Sequence, residues 1–223
     1  MKNPAILVKT AFLFLIVFSS AAFSQMPKGY KGKPFSDSLY NKGPQVIPGR
    51  LETAYYDMGG EGIAYHDTDS SNNGSGVLNR EPLHERPGVP MYICHFREKE
   101  GVDLSYTKDF ADFNHPNMVV PPVNQLYIGW QADSEWVNYT VNVKKAGKYK
   151  ITALYGYKDN GSSFWLNGKK AADIKLPVDT GNWHYWNKAE VGTIVFPKAG
   201  LNLLTLHYNT GSNLAYFDFE LIK

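Results

Sequence analysis

The sequence predicts an all-β fold, a sandwich or barrel, and three observations carry that prediction. No segment after the first twenty-odd residues has the period of a long amphipathic helix. Several segments alternate apolar and polar residues with period two. Turn residues recur at intervals of roughly ten residues, the spacing of short strands in sandwiches and barrels.

The strongest alternation runs from Trp136 to Val143, where Val137, Tyr139, Val141 and Val143 interleave with Asn138, Thr140 and Asn142. This pattern predicts a half-buried strand. Lys145-Ala146-Gly147 follows, then a Tyr- and Ile-rich strand from Lys148 to Tyr157, and the pair reads as a hairpin. The same device recurs where Val191 to Phe196 meets Lys198-Ala199-Gly200 and then Leu201 to Tyr208. Asn167-Gly168 predicts a type I′ turn between two further strands. The last strand is Ala215 to Ile222. Residues 72–122 hold many Gly, Pro, Asn and charged residues around weak strand signals at Tyr92 to Phe96 and Val102 to Tyr106. They read as loops over the sandwich, shaping one edge of a site.

At the N-terminus Lys2 and Lys9 precede the apolar run Ala11 to Phe18, and small residues end at Ala22-Phe23-Ser24, the layout of a secretory signal peptide cleaved near Ser24. Its apolar core is shorter than the roughly 20 residues of a membrane-spanning helix, and no later segment comes closer. The mature chain is therefore expected outside the cytoplasm, secreted or periplasmic. Residues 25–49, rich in Gly, Pro, Lys and Ser, read as a linker or an extended arm, and the folded domain is expected over 50–223. The formal charge of +2 falls to about zero with the signal peptide. A neutral chain whose only basic run is Lys28, Lys31 and Lys33 argues against nucleic acid as a partner. Cys94 is the only cysteine, so no internal disulfide forms; beside Tyr92, Ile93 and Phe96 it reads as a small buried hydrophobe.

No nucleophile elbow, paired metal histidines or phosphate-binding glycine loop is present. His66-Asp67-Thr68-Asp69 offers metal-ligand chemistry but lacks a second histidine at helical spacing, and Asp-rich turns are common structural punctuation. Five Trp and fifteen Tyr exceed what a core of this size requires. Aromatic faces suit sugars, whose axial C–H groups form an apolar patch while rim hydroxyls need polar partners.

Five motifs, in order, resemble the carbohydrate-binding modules of family 6, a family related to the module attached to many agarases and hemicellulases. They are Gly59-Gly60-Glu61-Gly62-Ile63-Ala64-Tyr65-His66-Asp67-Thr68-Asp69, Phe96-Arg97-Glu98-Lys99-Glu100-Gly101-Val102-Asp103, Ile128-Gly129-Trp130 leading into Glu135 to Val143, Gly181-Asn182-Trp183-His184-Tyr185-Trp186, and Asn213-Leu214-Ala215-Tyr216-Phe217. The resemblance spans Leu51 to Lys223. It implies a β-sandwich jelly roll, galactose-binding-domain-like, with a ligand cleft among loops at one end, where two aromatic rings and an Asn hold a sugar. Carried over by position, Trp130 and Trp183 are the aromatic pair, Asn213 the amide and Glu61 the acidic partner. Trp136 and Trp186 read as packing residues, and Trp165 stays open. The family's structural calcium is held by acids at positions that here are Ala54 and Ala215, leaving Glu52 alone, so no cofactor is expected.

The expected partner is a neutral polysaccharide or oligosaccharide, with a separate glycan-degrading enzyme as a further one. The competing reading is a small glycan-active hydrolase or lyase using carboxylates near Glu61, such as Asp67 or Asp69, which requires a second carboxylate about 5 to 9.5 Å away across the cleft. A structural or adhesive envelope protein fits the leader and fold but leaves exposed tryptophans unexplained.

Overall fold

The computed structural model describes residues 26–40, 43–80 and 88–222; the signal-peptide segment lies outside them. Two sheets pack face to face. In the first, β1 (Gln45–Ile47), β6 (Glu135–Val143), β11 (Gly200–Tyr208), β8 (Ser163–Leu166) and β9 (Lys169–Asp173) lie in that order, and β3 (Tyr65–His66) also pairs with β6. In the second the order is β10 (Trp186–Phe196), β7 (Gly147–Tyr157), β12 (Ser212–Leu221), β5 (Leu126–Ile128) and β4 (Leu104–Tyr106), with β2 (Gly49–Glu52) on β12. The all-β sandwich is thus observed, with its core where the inward residues of the two sheets meet: Val137, Tyr139, Val141 and Val143 of β6 beneath Ile151, Tyr155 and Phe217 of the other sheet.

The two expected hairpins are corrected. β6 and β7 lie in different sheets, and so do β10 and β11. Residues 144–146 and 197–199 are arches that carry the chain from one sheet to the other, side by side, since Val143 pairs with Gly200 and Phe196 with Gly147. Alternation records which residues face inward but not which sheet a strand joins, so a short Gly-containing connection reads alike for hairpin and arch. Asn167-Gly168 does form a hairpin turn, both residues with positive φ (51° and 82°) as a type I′ turn needs.

The half-buried reading of β6 is corrected too. Its inward residues are fully buried, yet Asn138 and Thr140 on the outer face are also buried. The chain ahead of Arg50 contributes to this: Phe35 joins the core, Tyr30 reaches Asp57 and β1 adds in parallel to β6, so residues 26–40 and 43–49 pack on the domain as an arm rather than a free linker. Lys33, from the basic run, makes an antiparallel bridge to Met58. Buried polar groups need partners: Asn138 Nδ2 donates to Ile63 O and its Oδ1 accepts from Thr205 Oγ1, and Asp57 serves Thr140. Its carboxylate accepts from Thr140 N (2.8 Å), Thr140 Oγ1 (2.7 Å) and Tyr30 Oη (2.7 Å). Burial raises the Asp57 pKa, and the Thr140 and Tyr30 hydrogen bonds pull it back.

Within 72–122, the weak strand at Tyr92 to Phe96 is instead a single helical turn, α1 (Met91–Cys94), while Val102 to Tyr106 contains β4. A second short helix, α2 (Asp109–Phe113), follows. Cys94 is buried, with Sγ 3.6 Å from Tyr106 Oη.

Tyr30→Phe removes the arm's hydrogen bond to Asp57. It should cost about 1 kcal/mol, lowering Tm by roughly 2–4 °C in calorimetry; an unchanged Tm shows that the arm is not held through this contact.

Candidate functional site

Four connections cross between the sheets at one end of the sandwich: 129–134 after β5, 158–162 after β7, 174–185 after β9 and 209–211 after β11. Three of them, with Asn73 and Tyr127, enclose a cleft of about 490 Å³ lined by Trp130, Gln131, Trp183, His184, Thr210, Gly211, Ser212 and Asn213. This volume lies within the range of small-ligand sites.

Trp130 stands two residues past the end of β5, with φ of 45°, a left-handed backbone that is costly for a bulky residue and concentrates at functional sites. It leaves the ring 44% exposed. Trp183 is 48% exposed and rests on Tyr157, ring centroids 4.5 Å apart. Its loop is pinned at several points: Thr180 exchanges hydrogen bonds with Tyr157, and Asn182 Oδ1 accepts from His184 N at 2.9 Å. The Trp183 carbonyl lies so close over β7 that a Cβ at Gly156 would stand 2.3 Å from it, so only glycine fits there. Asn213 Nδ2 donates to that same carbonyl at 2.9 Å, and Gly129 makes room for Asn213 Oδ1, which a Cβ would approach to 2.8 Å.

The structure therefore brings Trp130, Trp183 and Asn213 to one cleft and places Glu61 outside its lining. Both Glu61 oxygens are engaged locally, Oε1 with His66 Nδ1 at 2.6 Å and Oε2 with Asp67 N at 3.1 Å. Trp186 is fully buried, edge-on to Tyr127. Trp136 and Trp165 are half-buried on the outer face of the first sheet, near His66 and His207 respectively. Asn73, Gln131, His184, Thr210 and Ser212 were not singled out by the motifs. Adjacency to Trp183 was the one available signal for His184; the others reach the cleft through chain crossings that no local pattern records.

Gln131 fastens the floor: its Oε1 accepts from Asn160 Nδ2 (2.7 Å) and Ser212 Oγ (2.9 Å), tying three crossings together. His184 is braced from the 72–122 region. Its Nδ1 lies 2.5 Å from Oδ1 of Asp112 on α2, a fully buried carboxylate that also accepts from Lys108 N and, at 3.3 Å, from Trp186 Nε1. Asn117 Oδ1 accepts from Trp186 N, and Met118 N and Val119 N donate to Trp186 O, so this segment clamps the strand that follows Trp183.

No carboxylate lines the cleft. Two acids stand behind Asn73, whose Nδ2 donates to Asp69 Oδ2 (3.3 Å) and Asp103 Oδ2 (3.2 Å). Asp67 and Asp103 are each pushed up to about 7, foremost by burial and then by neighbouring carboxyls, and Asp67 Oδ2 is buried without a hydrogen-bond partner. Among the described residues no group of three His, Cys, Asp or Glu is arranged to hold a metal ion. At the position of the family's calcium the one acid is Glu52. Glu52 Oε2 accepts from Gln125 Nε2 at 2.8 Å, Gln45 Nε2 donates to Glu52 O at 3.2 Å, and the side chains of buried Ala54 and Ala215 bring no oxygen. Calcium takes six to eight oxygens; here the Glu52 carboxylate and carbonyl each accept from a side-chain amide instead.

The family model for carbohydrate binding module family 6 matches residues 94–223, more than half of the chain. No curated protein matches. Among solved structures, a family 43 arabinoxylan arabinofuranohydrolase from Bacillus subtilis, in complex with cellotetraose, is 16% identical with a TM-score of 0.42, over 55% of this chain and 25% of that one; the chain thus spans about a quarter of that enzyme. A family 6 module from Clostridium stercorarium in complex with cellobiose is 12% identical, TM-score 0.49, over 82% and 100% of the two chains. A β-1,3-glucan-binding family 6 module from Bacillus halodurans is 14% identical, TM-score 0.45, over 79% and 98%.

Two outcomes are expected. Asp67 and Asp103 hold their protons to about pH 7 when folded but release them near pH 4 when unfolded. The native state therefore binds more protons between these limits, and stability falls as pH rises from about 4 to about 7. Asp67→Asn should raise Tm at pH 8 by roughly 2–4 °C per kcal/mol recovered and flatten this slope; a slope unaltered by the substitution speaks against the assignment. Calorimetric titration with calcium should give the same result for wild type and Glu52→Ala, and a calcium site lost in Glu52→Ala would contradict the reading of that position.

Proposed function

The chain belongs to carbohydrate binding module family 6, and from that premise we propose that it is a secreted, non-catalytic module that holds a neutral oligo- or polysaccharide in the cleft between Trp130 and Trp183. The observation that carries this reading is the cleft itself. Two half-exposed indoles and the amide of Asn213 line one cavity, and no carboxylate lines it with them. Aromatic faces take up the C–H side of a sugar ring, and the amide takes up rim hydroxyls. Hydrolysis of a glycoside needs an acid and a second carboxylate flanking the bond, and Glu61, Asp67 and Asp69 do not line this cavity. Among the described residues no helix is long and apolar enough to cross a membrane. Secretion is supported by the Lys2 to Ser24 pattern, and such a module would act beside a separate glycan-degrading enzyme.

Two stacking rings and one or two net hydrogen bonds, against the cost of desolvating hydroxyls, support a Kd on the order of 0.1 mM, about −5.5 kcal/mol. The test is a glycan array and affinity-gel screen of the mature chain beside Trp183→Ala, with a reducing-sugar assay on every glycan that binds. Trp183→Ala should abolish detectable binding and leave Tm unchanged within about 2 °C, the scale of a surface substitution. Unchanged affinity removes the cleft as the site, and sugar release makes the protein an enzyme.

A further inference from the structure

Three polar residues at the cleft share one arrangement. Asn213 Nδ2 donates to Trp183 O, Asn73 Nδ2 donates to Asp69 and Asp103, and His184 Nδ1 faces the buried Asp112 carboxylate. In each case an N–H group is turned inward and used by the protein. Each residue keeps an acceptor, Oδ1 of Asn213, Oδ1 of Asn73 and, in the neutral imidazole whose proton sits on Nδ1, Nε2 of His184, and Asn213 keeps in addition one of the two N–H groups of its Nδ2. All three residues line the cleft, and none of the three atoms is among the buried atoms without a hydrogen-bond partner. No lysine or arginine lines the cleft, and the carboxyl groups of Asp69 and Asp103 stand directly behind Asn73.

We propose that His184, positioned by Asp112, is a specificity-determining residue of this cleft, and that with Asn73 and Asn213 it reads the ligand by accepting from sugar hydroxyls. The inference rests on the cleft being the glycan site. Its consequence is discrimination at these positions: a carboxylate or sulfate placed there offers only acceptors, which meet the acceptors of Asn73 and His184 with the Asp69 and Asp103 carboxyls behind, and no cation in the lining offsets its charge, the uncharged Gln131 Nε2 being the buried donor left without a partner. Asp112 touches no ligand; it sets which imidazole nitrogen the cleft sees. It comes from α2, within the stretch that has no strand pattern, so this element of recognition is supplied by the loop region and not by the sandwich.

The experiment is affinity electrophoresis of wild type, Trp183→Ala, His184→Ala and His184→Gln in polyacrylamide containing matched glycans. Laminarin, hydroxyethyl cellulose, arabinoxylan and agarose are the neutral set; sulfated laminarin, carboxymethyl cellulose and polygalacturonate are the charged set. A neutral glycan should retard the wild type at least about 10-fold more strongly than any charged one, the discrimination expected when buried polar groups are left unpaired. On that glycan His184→Ala should bind about 3- to 10-fold more weakly, the worth of one net hydrogen bond. His184→Gln, whose Oε1 can accept, should recover to within about 3-fold of wild type. If Trp183→Ala loses binding while His184→Ala does not, or if a charged glycan binds as well as its neutral partner, the inference is wrong and the site stands. Unchanged binding of Trp183→Ala, or retardation of the wild type by none of the glycans, overturns both.

Discussion

The gap between two packed sheets, about 10 Å, governs this molecule, because most of its connections have to cross it. β5 to β6, β7 to β8, β9 to β10 and β11 to β12 each change sheet at one end of the sandwich, and β6 to β7 and β10 to β11 change at the other. The near-side crossings at the second end are short arches, 144–146 and 197–199. At the first end three of the four, 129–134, 158–162 and 174–185, are longer, and a ring of chain standing above an open sandwich end leaves a cavity in the middle. Trp130, Trp183 and Asn213 are neighbours for this reason: the first two lie within crossings, and Asn213 is the second residue of β12, just past a third.

A cavity among loops is useful only if the loops hold still, and polar side chains do most of that holding here. Gln131 joins Asn160 and Ser212, so three crossings share one amide. Asn213 holds the Trp183 backbone, and Gly156 lets that backbone lie flat on β7. Buried networks of this kind rigidify a structure, and the Gln131 amide leaves its Nε2 buried without a partner, a donor in the cleft lining. The Asp112 carboxylate plays the same part from outside the sandwich, collecting donors from Lys108, His184 and Trp186. One side of the cleft is thereby built on the irregular 107–122 stretch.

At the opposite margin the arm of residues 26–40 and 43–49 serves stability. Its Tyr30 meets the Asp57 carboxylate beside β6, where Thr140 donates to Asp57 and Asn138 pairs with Ile63 O and Thr205 in place of water. A strand that alternates Val and Tyr with Asn and Thr is normally half-exposed; here a polar face became a second interior because hydrogen-bond partners were available to satisfy it.

Strand positions such as those in 136–143 and 148–157, the all-β class and the family could be read from residue order, since side-chain period, turn chemistry and motif order are local properties. The exposure of Trp183 followed from its turn, Thr180-Gly181-Asn182. Folding in three dimensions was needed to show that two supposed hairpins are arches, that the arm over 26–40 and 43–49 is packed, and that Glu61 spends its oxygens on His66 and Asp67. It was also needed to find Asn73, Gln131 and His184 at the cleft, and Asp112 behind it. These facts concern which sheet a strand joins and which distant atoms meet: Asp112 and His184 are 72 residues apart. A period-two pattern specifies the face a residue takes, but partners at such separations are selected by the closure of the whole sandwich, which no short stretch of sequence encodes.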